Sequence, residues 1–163
     1  MRLIVQRVLN ASVEVDGEVT GEIDRGLMVL LGITHTDTME AAMWAADKLG
    51  LLRIFSDSQG RMNLSLKEVG ASLLVVSQFT LFGEVRRGLR PDFRKAAPGD
   101  MAEPLYEAFV DRLRARGHRV ETGVFGAHMQ VQLVNDGPVT LIIDTDEVMP
   151  SGVRRISNGS GNS

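Results

Sequence analysis

The sequence predicts an α+β fold, with antiparallel strands curled towards a barrel and two helices packed against them. Three observations carry this expectation. Residues 1–33 hold only strand-like runs and turn signals. Two later stretches, near 37–52 and 100–116, place apolar residues at helical spacing. The last folded stretch returns to period-two alternation around Asn135-Asp136-Gly137. At 163 residues, with 44% hydrophobic and 24% charged residues, the chain has the length and composition of one globular domain with its own core. That domain is expected over residues 1–148, with a flexible tail over 149–163 whose last residues, Ser157–Ser163, are Ser, Gly and Asn with nothing to bury.

In chain order, Leu3 to Leu9 reads as a strand and Ser12 to Thr20 as a hairpin turning at Asp16-Gly17, where both central residues must tolerate positive φ. A turn at Asp24-Arg25-Gly26 leads into Leu27–Ile33. That run is continuously apolar, as a strand covered on both faces should be. Together these residues predict an antiparallel meander. A helix follows, with Asp37 and Glu40 as a capping box and Met39, Ala42, Met43, Ala46 and Leu49 on one face, ending near Leu52. Its methionines and Trp44 are expected to fill the core. Arg53–Ser56, the Asp57-Ser58-Gln59-Gly60 turn and Met62–Leu64 make a short hairpin.

Leu73–Val76 is a buried strand, after which polar Ser77, Gln78 and Thr80 arrive where the chain should leave the core. Two readings stand here. The polar atoms are satisfied by neighbouring backbone at a strand end, or they line a pocket beside Phe79. Glu84–Lys95 is a loop with five cations against two anions, 5 − 2 = +3. The second helix spans about Asp100 to Arg116, either capped by Asp100 or begun by Pro104 at its first position, with Ala102, Leu105, Phe109 and Leu113 on one face. Arg112, Arg114, Arg116 and Arg119 near its end either complement the helix dipole or form a phosphate-backbone contact. His118–Glu121 reads as a strand and Gly123–Gly126 as a turn with Phe125 at its tip. The closing hairpin joins Met129, Val131 and Leu133 to Val139, Leu141 and Ile143. Pro138 directly after its turn is unusual, because proline donates nothing to a sheet ladder. On turn chemistry alone, Gly137-Pro138 is a plain turn or a rigid tip that presents carbonyls.

Several chemistries lack their residues. With no cysteine, thiolate metal sites, disulfides and a cysteine nucleophile are absent. His35, His118 and His128 form no ligand pair, so no metal or other cofactor is expected. There is no nucleophile elbow, P-loop or dinucleotide fingerprint. No apolar run has the length of a membrane span and no signal peptide precedes the first strand, so the cytoplasm is the expected location and no membrane is engaged. A net charge of −3 does not advertise a nucleic-acid binder. Side-chain catalysis is poorly supplied. The residues are compatible with a binding module for an RNA end or small ligand, with an esterase using a Ser77 or Thr80 hydroxyl, or with an enzyme that works through backbone groups and its substrate's own atoms.

Ser77-Gln78-Phe79-Thr80-Leu81 together with Asn135-Asp136-Gly137-Pro138-Val139-Thr140 resembles the D-aminoacyl-tRNA deacylases, as do Gln6-Arg7-Val8, Arg53-Ile54-Phe55 and Arg90-Pro91-Asp92-Phe93. The resemblance covers residues 1 to about 145. It implies a homodimer with each active site at the subunit interface, and aminoacylated tRNA bound by its 3′ end. Ser77, Gln78, Phe79 and Thr80 would form the catalytic strip. Gly137 and Pro138 would reach in from the other subunit, in cis, and exclude L-amino acids. Arg7 would hold that tip, and Ala102, Phe125 and Met129 would lie by the terminal adenosine or the aminoacyl pocket. The implied reaction is cofactor-free hydrolysis of D-aminoacyl-tRNA, extending to glycyl-tRNA, assisted by main-chain donors and the ribose 2′-hydroxyl.

Overall fold

The computed structural model describes residues 1–86 and 88–150. The tail expected from residue 149 lies outside the described residues beyond Pro150. The architecture is α+β, with a barrel-like sheet of β1 (Arg2–Val15), β2 (Glu18–Ile23), β3 (Gly26–Gly32), β6 (Ser72–Ser77), β7 (Val120–Thr122) and β8 (Gln130–Asp144). A small hairpin, β4 (Phe55–Ser56) with β5 (Met62–Leu64), stands apart. Three helices accompany them: α1 (Met39–Gly50), α2 (Gly99–Ala115) and the short α3 (Thr145–Val148).

The sheet runs β2-β1-β3-β6-β7, with β8 on the other edge of β1. β1 is therefore the centre of the fold rather than the first rung of a meander. Its N-terminal half pairs with β3, its C-terminal half with β2, and nearly its whole length with β8. The break expected between Leu9 and Ser12 is a bulge within this one strand, where the ladder to β8 shifts around Val8. Nor is the sheet antiparallel throughout, because β3–β6 and β6–β7 are parallel pairs. Each of these joins strands separated by a helix, a connection long enough to return the chain in the same direction. The sheet curls until β2 approaches β7, and a Cβ on Gly21 would sit 2.5 Å from Thr122 O.

Curling gives the strands two buried faces. Leu27, Val29 and Leu31 of β3, with Leu73 and Val75 of β6, join the core shared with the helices. Met28 of β3 and Leu74 and Val76 of β6 face the interior cluster with Val8, Ala11, Val13 and Ile23. This is the physical reason for the uninterrupted apolar runs. On α1, Ala41, Ala42, Ala45, Ala46 and Leu49 are buried, whereas Met39 and Met43 are exposed, against the expectation that they fill the core. On α2 the buried face includes Ala102, Leu105, Phe109 and Leu113, as expected.

Several ends differ from expectation. Thr38, not Asp37, caps α1, accepting from Ala41 N at 3.2 Å. Asp37 is buried instead against the Met1 ammonium and accepts from Thr34 N at 2.8 Å. The Met1 ammonium also donates to Thr145 Oγ1 at 2.7 Å, which ties the first strand to α3. α2 begins at Gly99 after Pro98, so neither Asp100 nor Pro104 opens it, and Pro104 lies inside. The arginines at its end are partly spoken for. Arg112 and Arg116 both grip Asp47 of α1 through paired hydrogen bonds of 2.7–3.0 Å.

The Asn135-Asp136-Gly137 stretch is not a hairpin turn. Both flanking runs belong to β8 and both pair with β1, as Val8↔Asn135 on one side and Gln6↔Thr140 on the other. Only Arg7 stands opposite Asp136, Gly137, Pro138 and Val139, which therefore loop out of the ladder. Alternation on both sides of a turn-like sequence fits a looped-out strand as well as a hairpin. The partner strand decides between them, and it lies more than 120 residues upstream.

Candidate active site

At the carboxyl end of β6 the chain passes through Gln78 into a single 3-10 turn, Phe79–Phe82. Gln78 N bonds Leu31 O at 2.9 Å, which holds the exit of β6 beside the end of β3. The first bond closing the turn runs from Leu81 N to Gln78 O at 3.3 Å. The leading N–H groups of such a turn, here those of Phe79 and Thr80, have no partner within it. The Ser77 hydroxyl makes no protein hydrogen bond among the described residues. The Thr80 hydroxyl is exposed and takes a hydrogen bond from the Gln78 amide nitrogen. Among the described residues the strip's polar side chains thus bond each other, Gln78 to Thr80, and not the neighbouring backbone.

A cavity of about 390 Å³ opens at this point. It lies beyond the carboxyl ends of the parallel strands β3 and β6, the usual place for a site in such sheets. Ser77, Gln78 and Phe79 form one wall, Gly99 and Ala102 at the start of α2 a second, and Phe125 and Met129 a third. Six of the ten residues implicated by sequence therefore share one cavity. Thr80 is next to it, while Arg7, Gly137 and Pro138 do not line it.

Tyr106 supports the third wall. Its ring lies 5.7 Å from that of Phe125, and its hydroxyl donates to Val75 O at 2.8 Å. Burial pushes the Tyr106 phenol up to about 12, so it stays a neutral donor. His128 also lines the cavity and was not singled out by sequence. The available signal was its position between Phe125 and Met129, one continuous segment facing the same space. Among the described residues no group of three His, Cys, Asp or Glu side chains is placed to hold a metal ion. No helix among them is long and apolar enough to cross a membrane.

The looped-out segment forms a second constellation. Gly137 has φ +121° and its bond to Pro138 is cis. Asn135 closes the neck of the loop, its amide nitrogen donating to Arg7 O at 2.9 Å and Val139 O at 3.0 Å. Arg7 is buried beneath. It donates to Ile54 O at 2.7 Å, and its Nε lies 2.9 Å from Asp136 Oδ2. A Cβ on Gly137 would sit 3.0 Å from Arg7 Nη2. Arg7 thus braces the Gly137-Pro138 segment of its own chain.

The chain therefore combines a mostly apolar cavity at the strand ends of a barrel-like sheet with a braced Gly137-Pro138 loop set apart from it. The chain belongs to the D-Tyr-tRNA(Tyr) deacylase family, whose model matches residues 4–144. It is 58% identical over 147 residues to a D-aminoacyl-tRNA deacylase of Thermus aquaticus, covering 90% of this chain and 97% of the relative. A D-aminoacyl-tRNA deacylase of Geobacillus sp. (strain WCH70) is 56% identical with the same coverage. Among solved structures, the c-Myc DNA Unwinding Element Binding Protein superposes with a TM-score of 0.82 at 42% identity, covering 88% of this chain and 98% of that one. A probable eukaryotic D-amino acid tRNA deacylase, at 23% identity and a TM-score of 0.76 over 87% of this chain and 97% of that one, shares the fold.

Proposed function

We propose that this protein hydrolyses the ester of D-aminoacyl-tRNA, releasing the D-amino acid and free tRNA, and that it accepts glycyl-tRNA while rejecting L-aminoacyl esters. The observation that carries this reading is the cavity joining Ser77, Gln78 and Phe79 to Ala102, Phe125 and Met129 in a chain of this family. Water attacks the ester carbonyl, the C–O bond to the terminal ribose breaks, and the ribose oxygen leaves with a proton from that water. The N–H groups of Phe79 and Thr80 face the developing oxyanion and the substrate's 2′-hydroxyl orients the water, so no side-chain nucleophile is required. The terminal adenosine rests against Phe125, Met129 and Ala102.

Selection against L-amino acids falls to the main-chain carbonyls of Gly137-Pro138. They occupy the space an L side chain needs, while a D side chain points elsewhere and glycine has none. Gly137 and Pro138 are not among the described residues that line their own chain's cavity, which supports their reaching the cavity of a second copy in a homodimer with its sites at the interface. Among the described residues the outer edge of β8 has no strand partner, and Leu141 and Ile142 on β8 are exposed, features a subunit interface would cover. Mixing experiments test this arrangement. A Phe79→Pro chain, inactive alone, and a Gly137→Ala chain, unselective alone, should regain the wild-type D-to-L ratio when exchanged into mixed dimers, because the one working site takes Phe79 from one chain and Gly137 from the other. No regain, or a monomer in solution, would contradict it. Labelling of Ser77 or Thr80 by a serine-hydrolase reagent would favour the nucleophilic esterase, and tight RNA-end binding without ester cleavage would favour the binding module.

A further inference from the structure

The loop after the 3-10 turn is a flap rooted at the mouth of the cavity. Its neck is closed by a backbone pair, Glu84 N to Asp92 O at 2.8 Å and Asp92 N to Glu84 O at 3.0 Å. Its root is tied to the cavity wall by Ala97 N to Ile33 O at 3.0 Å. Phe93 packs on Gly83, where a Cβ would come within 2.9 Å of its ring, and meets the exposed cavity residue Phe79 edge-on at 5.2 Å. The flap therefore stays beside the opening.

Its charge is unlike that of the whole protein. Residues 84–95 carry 5 − 2 = +3, in a chain of net −3. Both acids are already engaged. Glu84 takes Lys95 at 2.7 Å and Arg86 at 3.3 Å, and Asp92 takes Arg94 Nε at 2.7 Å. Hydrogen bonds from the Arg94 side chain and backbone hold the Asp92 carboxyl below its usual range, and a hydrogen bond from Lys95 does the same for Glu84. Arg90 has no carboxylate partner among the described residues, and Arg86 is 85% exposed. An aminoacyl ester at a tRNA 3′ terminus reaches this cavity at the end of a single strand, so phosphodiesters must pass its mouth.

We infer that the Glu84–Asp92 flap, through Arg86 and Arg90, docks the phosphodiesters of the single-stranded RNA 3′ end as it enters the cavity. This deepens the deacylase reading above and rests on it. The charge complementarity favours RNA over a protein partner, which the exposed Val85 and Leu89 would otherwise suit.

The test compares two substrates, D-tyrosyl-tRNA and D-tyrosyl-adenosine, which lacks the strand. In Arg86→Gln/Arg90→Gln, kcat/KM on the tRNA ester should fall roughly tenfold, and its log-log salt slope should shrink by about 0.7 for each contact removed. Cleavage of the adenosine ester should stay within about twofold, and Arg86→Lys/Arg90→Lys should recover most of the loss, since point charge suffices for phosphate. Equal losses on both substrates would overturn the inference, because the flap would then only shape the cavity. An unchanged rate and salt slope on tRNA would overturn it in favour of a protein partner. A wild-type chain that cleaves neither ester would overturn the deacylase reading itself, and the inference with it.

Discussion

Asn135 and Arg7 are joined by a hydrogen bond of 2.9 Å from the Asn135 amide nitrogen to the Arg7 carbonyl, where the β1–β8 ladder is interrupted. The same nitrogen reaches Val139 O at 3.0 Å and so pulls the two ends of the Gly137-Pro138 loop together. Asn135→Ala leaves two carbonyls without this donor and frees the neck. Losing about 1–2 kcal/mol of positioning corresponds to a fall of roughly five- to thirtyfold in kcat/KM on D-tyrosyl-tRNA. Steady-state kinetics, with circular dichroism to verify folding, check this.

Gly137 has a positive φ, and an added Cβ would sit 2.9 Å from Val139 Cγ2 and 3.0 Å from Arg7 Nη2. Gly137→Ala must therefore move the loop or the Arg7 guanidinium. The expected outcome is a lower ratio of D- to L-tyrosine release, by about tenfold or more for a shift worth about 1.4 kcal/mol. Parallel hydrolysis of D- and L-tyrosyl-tRNA measures the ratio.

The Thr80 hydroxyl is exposed and occupied by the Gln78 amide, and among the described residues it hydrogen-bonds no base. Its proposed contribution is its main-chain N–H, which Thr80→Val retains. The variant should keep activity within about fivefold, a cost of about 1 kcal/mol for one lost side-chain hydrogen bond. A loss of three or more orders of magnitude would indicate a covalent nucleophile.

Asp47 draws hydrogen bonds first from Arg116 and then from Arg112, and these hold its carboxyl well below the usual range. A depressed folded-state value means that the stabilisation is present above the unfolded carboxylate pKa of about 4 and is lost as pH falls through the lower folded value. Asp47→Asn should cost about 1–3 kcal/mol at pH 7. The gap between wild-type and variant urea midpoints should narrow as the pH falls below about 4.

Much of this architecture was legible because it is local. The α2 face of Leu105, Phe109 and Leu113, the apolar runs of β3 and β6 and the Asp16-Gly17 turn follow from spacing and turn chemistry within a few residues. What was misread depends on distant partners. The sequence cannot display that β1 pairs with β3, β2 and β8, or that β3 and β6 run parallel. Asp37 looked like a cap because its neighbours fit a capping box, but the Met1 ammonium is a stronger partner for a buried carboxylate. In the site, the Ser77–Phe79 strip and the Asn135–Thr140 segment stood out as motifs. His128 and the Tyr106 support behind Phe125 did not, because a lone ring and a buried phenol carry no sequence signature.

The most direct test is the release of D-tyrosine and L-tyrosine from matched charged tRNAs, with and without a chelator. D-selective, main-chain-assisted hydrolysis predicts fast D-release, negligible L-release and no effect of the chelator. Equal release of both enantiomers would contradict chiral exclusion by Gly137-Pro138, and release of neither would contradict the deacylase activity itself.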